Sequence, residues 1–402
     1  MTPAWMREAP VQRLLAALAD GGVDARFVGG CVRDWKLGRP IGDIDLAVSA
    51  PPETVMKVLE AAGLKVVPTG LKHGTVTAVA AHRPFELTTL RRDVETDGRR
   101  AVVAFTDDWR VDAARRDFTF NALYAEPDGT IHDYFDGLAD LRAGRVRFIG
   151  EPDQRIAEDR LRVLRFFRFH AWYGRPPFDG PSFEACRRNA GALRGLSGER
   201  VRKELLRTLE APAGADAVDA MFDTGVLDHW LPEYAGSARL RALVAREAGA
   251  GVAADGLRRL AAILPPGSDG TRIGKRLKLS TQESVRLAVL LAVAPPIDLA
   301  GGPPAWRAAL YRQGRGFFVD RVLLANDVVG DWPGALALAA AWSPPDFPVS
   351  GADALALGFT PGPSVGKLLE AVEAWWIDRD FAAGRDACLA ELSRRATEEK
   401  PA

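Results

Sequence analysis

Apolar positions in this chain follow two spacings, strand-like in its first third and helix-like afterwards. Leu14, Leu15 and Leu18 recur at helical spacing between Val11 and Ala19, and Asp20-Gly21-Gly22 ends the run, which predicts an amphipathic helix lying on a sheet. Phe27-Val28 and Asp43 to Val48 read as short strands on either side of a Gly29-Gly30 turn and a helical turn. Ser49-Ala-Pro-Pro-Glu53 then opens a helix with Val55, Val58 and Leu59 on its apolar face. Lys65 to Val67, Thr75 to Ala80 and Phe85 to Leu90 are rich in β-branched residues and predict three more strands. From Phe178 onward the spacing is helical. Ser197 is an N-cap for the helix that runs to Leu209, and from Ala211 to Pro344 Ala/Leu-rich helices alternate with Gly/Pro breaks, without a repeat of fixed period. Gly358 to Leu369 starts a helix after a Pro-Gly-Pro turn, and Trp375 and Trp376 read as packing residues. The expected fold class is α+β: a small mixed β-sheet head over 1–140, a helical neck over 141–211, and a helical body and tail over 212–402.

Composition changes this picture little: 47% hydrophobic and 26% charged residues suit a globular chain with a sizeable core. The most apolar stretch, Leu287 to Ala294, is soon stopped by Pro295-Pro296, so no membrane partner is expected, and Met1 to Pro10 lacks the apolar run of a secretory signal. Cys31, Cys186 and Cys388 are odd in number and far apart, which predicts reduced thiols in a cytoplasmic protein. A formal net charge of zero argues against a strongly basic nucleic-acid binder, yet 16 basic and 10 acidic residues between Ala139 and Glu210 leave a local excess of positive charge. Nothing in the sequence fixes an oligomeric state.

Three stretches carry candidate chemistry. In the first, Asp43 and Asp45 are two apart on a predicted strand, so both carboxylates share a face, and paired hard oxygens on a rigid strand suit Mg²⁺. Gly29-Gly30 leaves room for a polyphosphate before a helical turn whose N–H groups attract anions, and Arg33 follows one turn in. Glu86, charged among apolar neighbours in Phe85-Glu-Leu-Thr-Thr-Leu90, fits the solvent side of a half-buried strand. The second stretch, Arg115-Arg116-Asp117-Phe-Thr-Phe-Asn121, follows an acidic-basic helix over Val111 to Ala114. A surface ion pair of little energetic weight would also explain it. In the third, Glu158 to Arg168, Asp159, Arg162, Arg165 and Arg168 are spaced by three and form a slanting band on an expected helix. Between the first two, Arg91 to Thr106 holds seven charged residues around Asp97-Gly98; a solvated hairpin would explain it, and at least its first half is expected to be an exposed, mobile loop.

Gly-Gly, Arg and Asp-x-Asp within the 22 residues Phe27 to Val48 resemble the nucleotidyltransferase superfamily. With Arg115-Arg-Asp-Phe-Thr-Phe-Asn121 and Glu158-Asp-x-x-Arg162, the chain looks like the bacterial class II tRNA nucleotidyltransferase and poly(A) polymerase family. The resemblance is strong from Phe27 to His170 and faint beyond. It implies a nucleotidyltransferase head in which Asp43 and Asp45 hold Mg²⁺ and Glu86 is a third, assisting carboxylate. It further implies that Gly29, Gly30, Arg33 and Arg116 hold triphosphate, that Asp117 meets the ribose hydroxyl and that Asn121 supports the turn. Asp159 and Arg162 would read the Watson-Crick edges of C and A, with Arg165 and Arg168 facing the nucleotide. The implied partners are tRNA, CTP and ATP, and the implied reaction is addition of C, C and A to tRNA 3′ ends. Arg91 to Thr106 would be the family's flexible loop, needed for the final A. Relatives that only add A, or that make poly(A), carry similar motifs, and a non-catalytic RNA-binding protein on a decayed head is the alternative from another class. Phe169-His-Ala-Trp-Tyr-Gly174 departs from the family's usual Arg-Phe-Ala-x-x-Leu-Gly run, a departure expected to touch packing and not chemistry. The five histidines are scattered, and His73 reads as structural.

Overall fold

The computed structural model describes residues 2–96, 101–293, 295, 297–325 and 330–399. It divides the chain into two compact units, Met1–Tyr234 with Lys275–Leu279, and Ala235–Gly274 with Ser280–Ala402. The residues expected to form head and neck thus fall within the first unit.

That unit is built on a seven-stranded mixed sheet. Its strands are β1 (Ala25–Val28), β2 (Asp45–Val48), β3 (Lys65–Gly70), β4 (Thr75–Ala80), β5 (Arg83–Thr89), β8 (Leu123–Ala125) and β9 (Ile131–Asp133), in the order β3-β4-β5-β2-β1-β8-β9. All pairings are antiparallel except β2 with β5, which places Asp45 beside Glu86 in register. The alternation read from sequence holds in β4 and β5, where Val76, Ala78, Ala80, Phe85 and Leu87 are buried. Helices α1 (Ala9–Asp20) and α3 (Pro52–Ala61) cover the sheet with Leu14, Leu18, Val55 and Leu59, all fully buried. In α3 a proline occupies the first turn, as expected from a residue with no N–H to lose there.

One local expectation is corrected and another is met in position only. Arg91–Thr96 is not a loop: it forms β6, paired antiparallel with β7 (Ala101–Phe105) in a separate two-stranded sheet, while the Asp97-Gly98 turn lies outside the described residues. Charge density in the first half concealed a strand whose backbone, and not an apolar face, does the pairing. Ser197 stands at the N-cap of its helix, but its side chain makes no capping hydrogen bond there.

Helices α2 (Gly30–Lys36), α4 (Trp109–Ala114), α5 (Gly137–Ala143), α6 (Pro152–Glu158), α7 (Leu161–Tyr173), α8 (Gly180–Arg188), α9 (Gly198–Glu210) and α10 (Gly214–Asp223) complete the unit. A buried aromatic cluster ties α7 to the segment after α4: Phe118 packs on Phe148 at 4.8 Å and on Phe169 at 5.2 Å between ring centres, and Phe166 packs on Phe167 at 5.3 Å. This fixes the height of α7 against the sheet.

The regular elements of the second unit, among the described residues, are helices: α11 (Ala238–Gly249), α12 (Gly256–Ala262), α13 (Gly270–Leu277, whose last turn belongs to the first unit), α14 (Thr281–Leu291), α15 (Gly302–Gln313), α16 (Arg315–Leu324), α17 (Trp332–Ala341), α18 (Gly351–Ala356), α19 (Pro363–Asp378) and α20 (Arg385–Glu399). Trp376 is buried among Val349, Leu368, Val372 and Leu392, the packing role expected of it. Among the described residues no helix is long and apolar enough to cross a membrane.

Candidate active site

Val28 ends β1 in the core, and the chain then turns at Gly29, whose φ of +71° and ψ of −120° suit glycine alone. A Cβ on Gly29 would lie 3.7 Å from Nη1 of Arg116, and one on Gly30 would lie 3.7 Å from Nη2 of Arg33. The glycine pair therefore sits between two guanidinium groups, with backbone on one side and open cleft on the other.

The carboxylates come from the neighbouring strands. Asp45 begins β2, and Asp43 lies exposed just before it, so the expectation that both stand within the strand is corrected for Asp43. Ile44 and Leu46, which alternate with the two aspartates, are buried. Glu86 is exposed beside Asp45 in register. Burial pushes the Asp45 carboxyl up to about 6, and the charges of Glu86 and then Asp43 add to this, while Arg116 pulls the other way. Crowded acceptor oxygens of this kind fit a hard divalent cation. No group of three or more His, Cys, Asp or Glu side chains among the described residues closes into a ligand cage. An ion held by one or two carboxylates would therefore complete its shell from water and substrate phosphate, the usual habit of Mg²⁺.

Behind this edge, Asp112 organises the arginines. It is fully buried in α4 and accepts from Nε of Arg115 at 2.8 Å, Nη2 of Arg116 at 3.2 Å, the Tyr124 hydroxyl at 2.5 Å and the Arg91 backbone N–H at 3.1 Å. Burial works against its charged form, but Arg116 and Arg115 outweigh it and hold the carboxyl at about 2. Arg116 also donates through Nε to the Tyr124 oxygen at 3.1 Å. Sequence reasoning missed Asp112, although it stands three and four residues before the two arginines, a helical ion-pair spacing.

The Asp117 to Asn121 segment is held by its phenylalanines. Phe118 and Phe120 are buried, and they set Asp117 and Asn121 at the cleft wall. Asp117 accepts from Nε of Arg165 at 2.7 Å, from Nδ2 of Asn121 at 3.0 Å and from the Phe118 N–H at 2.9 Å. Here too burial is outweighed, chiefly by Arg165 and Asn121, and the carboxyl stays at about 2. Asn121 in turn accepts from Nη1 of Arg33 at 2.7 Å.

On the far wall the expected single helix is interrupted. Asp159 lies at φ −150° and ψ 105° between α6 and α7, so it is a junction residue and not a helical one. Its side chain accepts from the Leu161 N–H at 3.1 Å and from Nη2 of Arg200 at 2.8 and 3.0 Å. An aspartate just ahead of an apolar helix is a capping signal that could have located this break. Arg162 pairs with Glu158 at 2.6 Å and donates to the backbone oxygens of Arg155 and Arg115. Arg168 does not reach the cleft: it is buried, bonded to Glu204 at 2.5 Å and stacked on Phe169. The expectation that it faces a nucleotide is corrected, because its guanidinium is buried against Glu204 of α9 and does not line the cleft.

The resulting cleft has a volume of about 500 Å³. It brings together Gly29, Gly30, Arg33, Asp45, Arg116, Asp117, Asp159, Arg162 and Arg165, which lie as much as 136 residues apart in the chain. Asp43 and Glu86 lie at its edge by register and charge coupling, without lining it. Arg91, Arg115 and Phe169 line it as well and were not singled out from the sequence.

Similarity to known proteins follows the same residues. Residues 25–147 match the family model of the poly A polymerase head domain, and 178–237 match that of a probable RNA and SrmB-binding site of polymerase A. The chain is 34% identical over 383 residues to a mitochondrial CCA tRNA nucleotidyltransferase 1 of Mus musculus, covering 92% of this chain and 87% of the relative. It is 32% identical to a CCA-adding enzyme of Limosilactobacillus fermentum, covering 90% of each. Among solved structures, the Bacillus stearothermophilus CCA-adding enzyme in complex with CTP superposes with a TM-score of 0.72 at 27% identity, covering 97% of this chain and 98% of that one.

Proposed function

Because this chain belongs to the family of CCA-adding tRNA nucleotidyltransferases, we propose that it completes tRNA 3′ ends by adding C, C and A from CTP and ATP, with release of pyrophosphate. The observation that carries this is the convergence, in one cleft, of the Gly29-Gly30 turn, Asp45, the Arg116-Asp117 pair and the Asp159/Arg162 junction. Each supplies a different part of nucleotidyl transfer.

Gly29 and Gly30 let the triphosphate approach the backbone, and Arg33 and Arg116 on either side neutralise its charge. Asp117, kept ionised by Arg165, can accept from a ribose hydroxyl and so favours ribonucleotides. Asp159 accepts and Arg162 donates, the pairing needed to read the edges of C and A. Asp43 and Asp45 would hold Mg²⁺, with Glu86 assisting from the adjacent strand. An ion held by them would supply activation of the RNA 3′-hydroxyl and charge stabilisation for the leaving pyrophosphate. Helices outside the sheet would hold the tRNA by shape and phosphate contacts. The three cysteines are buried and unpaired, which suits a reducing compartment such as the cytoplasm.

The test supplies tRNAs ending before the first C, after the first C and after the second, with CTP and ATP separately and together, and measures product length. Growth that stops at CCA supports the assignment. Long A tails would make the protein a poly(A) polymerase, and extension only from the species ending in two C residues would make it an A-adding enzyme.

A further inference from the structure

Arg33 is held far more tightly than a phosphate-binding arginine at a cleft wall needs to be for attraction alone. A guanidinium has five N–H donors in one plane. In Arg33, Nε and Nη2 donate to the two oxygens of Asp34 at 3.0 Å each, Nη1 donates to Asn121 at 2.7 Å, and Nη2 donates to the Tyr173 hydroxyl at 2.7 Å. Four of the five are engaged, and one N–H, on Nη1, has no partner among the described residues.

Tyr173 comes from the last position of α7, 140 residues further along the chain. Its ring lies under the Arg33 guanidinium at 4.2 Å and under that of Arg39 at 4.5 Å, while Arg39 donates to the Trp172 backbone oxygen at 2.9 Å. Phe120 and Phe169 flank the ring at 6.1 and 5.9 Å between centres, which limits its rotation. Tyr173 thus joins the helix that carries Arg162 and Arg165 to the arginine beside the glycine turn.

We propose that Tyr173 is a positioning residue for nucleotide binding, its hydroxyl and ring face fixing the plane of the Arg33 guanidinium so that the triphosphate meets a pre-set donor. Asp34 is the next residue on the same short helix and Asn121 comes from the segment after α4, so the bond from Nη2 to Tyr173 together with the stacking adds the anchor from α7 and the contact to the face of the guanidinium, which the other bonds leave uncovered. The side chain that differs from the family's usual leucine therefore enters the chemistry of the site and not only its packing. This inference rests on the assignment of Arg33 to the triphosphate.

The experiment compares Tyr173→Phe, Tyr173→Leu, Arg33→Lys and the double variant Tyr173→Phe/Arg33→Lys with the wild-type chain. It measures KM and kcat for CTP and ATP, the calorimetric Kd for CTP, and Tm. Tyr173→Phe should raise KM and Kd about tenfold for both nucleotides, the change that roughly 1.4 kcal/mol produces, with kcat within about twofold and Tm near wild type. Tyr173→Leu should raise KM further, and the double variant should be no worse than Arg33→Lys, since both changes act through one guanidinium. An unchanged KM and Kd in Tyr173→Phe beside a raised KM in Arg33→Lys would overturn the inference alone. So would full additivity in the double variant. An unchanged KM in Arg33→Lys would overturn the assignment of Arg33 itself.

Discussion

At the scale of single residues, Asp45 is the side chain whose loss should be felt most. It is the one carboxylate of the trio that both lines the cleft and starts a rigid strand. Asp45→Ala should lower kcat for every incorporation by about a thousand-fold, the several kcal/mol that metal-assisted charge stabilisation provides, without lowering Tm. Incorporation at near wild-type rate would remove it from the chemistry. His170 makes a separate prediction about stability. It is buried, its Nδ1 has no hydrogen-bond partner among the described residues, and burial, opposed by Asp216, holds its pKa down to about 4 from an ordinary 6.5. As pH falls the unfolded chain takes up the proton first, so this contribution is complete above about pH 6.5 and is lost from there down to about pH 4. Between pH 7 and pH 5 the wild type should lose about 2 kcal/mol more than His170→Leu, measured by urea unfolding. Equal losses would show that the imidazole is not held neutral. Residues were legible where chemistry and spacing coincide, as in Gly29, Asp45, Arg116 and Asp159. Arg168 was misread because its partner, Glu204, lies 36 residues away on another helix, and local spacing carries no trace of it.

At the scale of elements, the sequence pattern found strands and helices whose apolar faces are regular, such as α1, α3, β4 and β5. It failed where backbone pairing or polar partners decide the conformation. β6 is dense in charge and pairs through its backbone with β7, and the α6–α7 break is set by one aspartate at the junction. In the second unit, helices meet through buried ions, a contact that periodicity also cannot show. Glu247 of α11 accepts from Nη1 of Arg258 and Nε of Arg259 at 2.8 Å each, and Arg258 continues to Asp320 of α16 at 2.9 Å. Removing the carboxylate leaves two guanidinium groups buried without it. Glu247→Ala should therefore destabilise the protein by about 3–5 kcal/mol, read as a fall in the unfolding midpoint. A shift within about 0.5 kcal/mol, the range of an ordinary surface change, would mean that the network is not needed for packing α11, α12 and α16.

At the scale of the whole molecule, the formal charge is zero while the candidate cleft gathers six arginines and three aspartates. Most of those charges are already paired with one another, so the site is a set of pre-placed donors and acceptors more than a basic patch. That distribution explains why bulk charge said little about function while the motifs said much. In the proposed function one cleft divides the work, acids and the glycine turn handling the triphosphate and the Asp159/Arg162 junction choosing the base. The most direct measurement is single-nucleotide incorporation into a tRNA lacking only its terminal A, with each of the four ribonucleotides offered alone, for wild type and Arg162→Ala. Wild type is expected to take ATP and refuse UTP and GTP, and Arg162→Ala to keep incorporating but lose that discrimination by about tenfold or more, since one lost base-edge contact is worth about 1–3 kcal/mol. A variant that incorporates slowly yet discriminates as sharply as wild type would contradict this division of work.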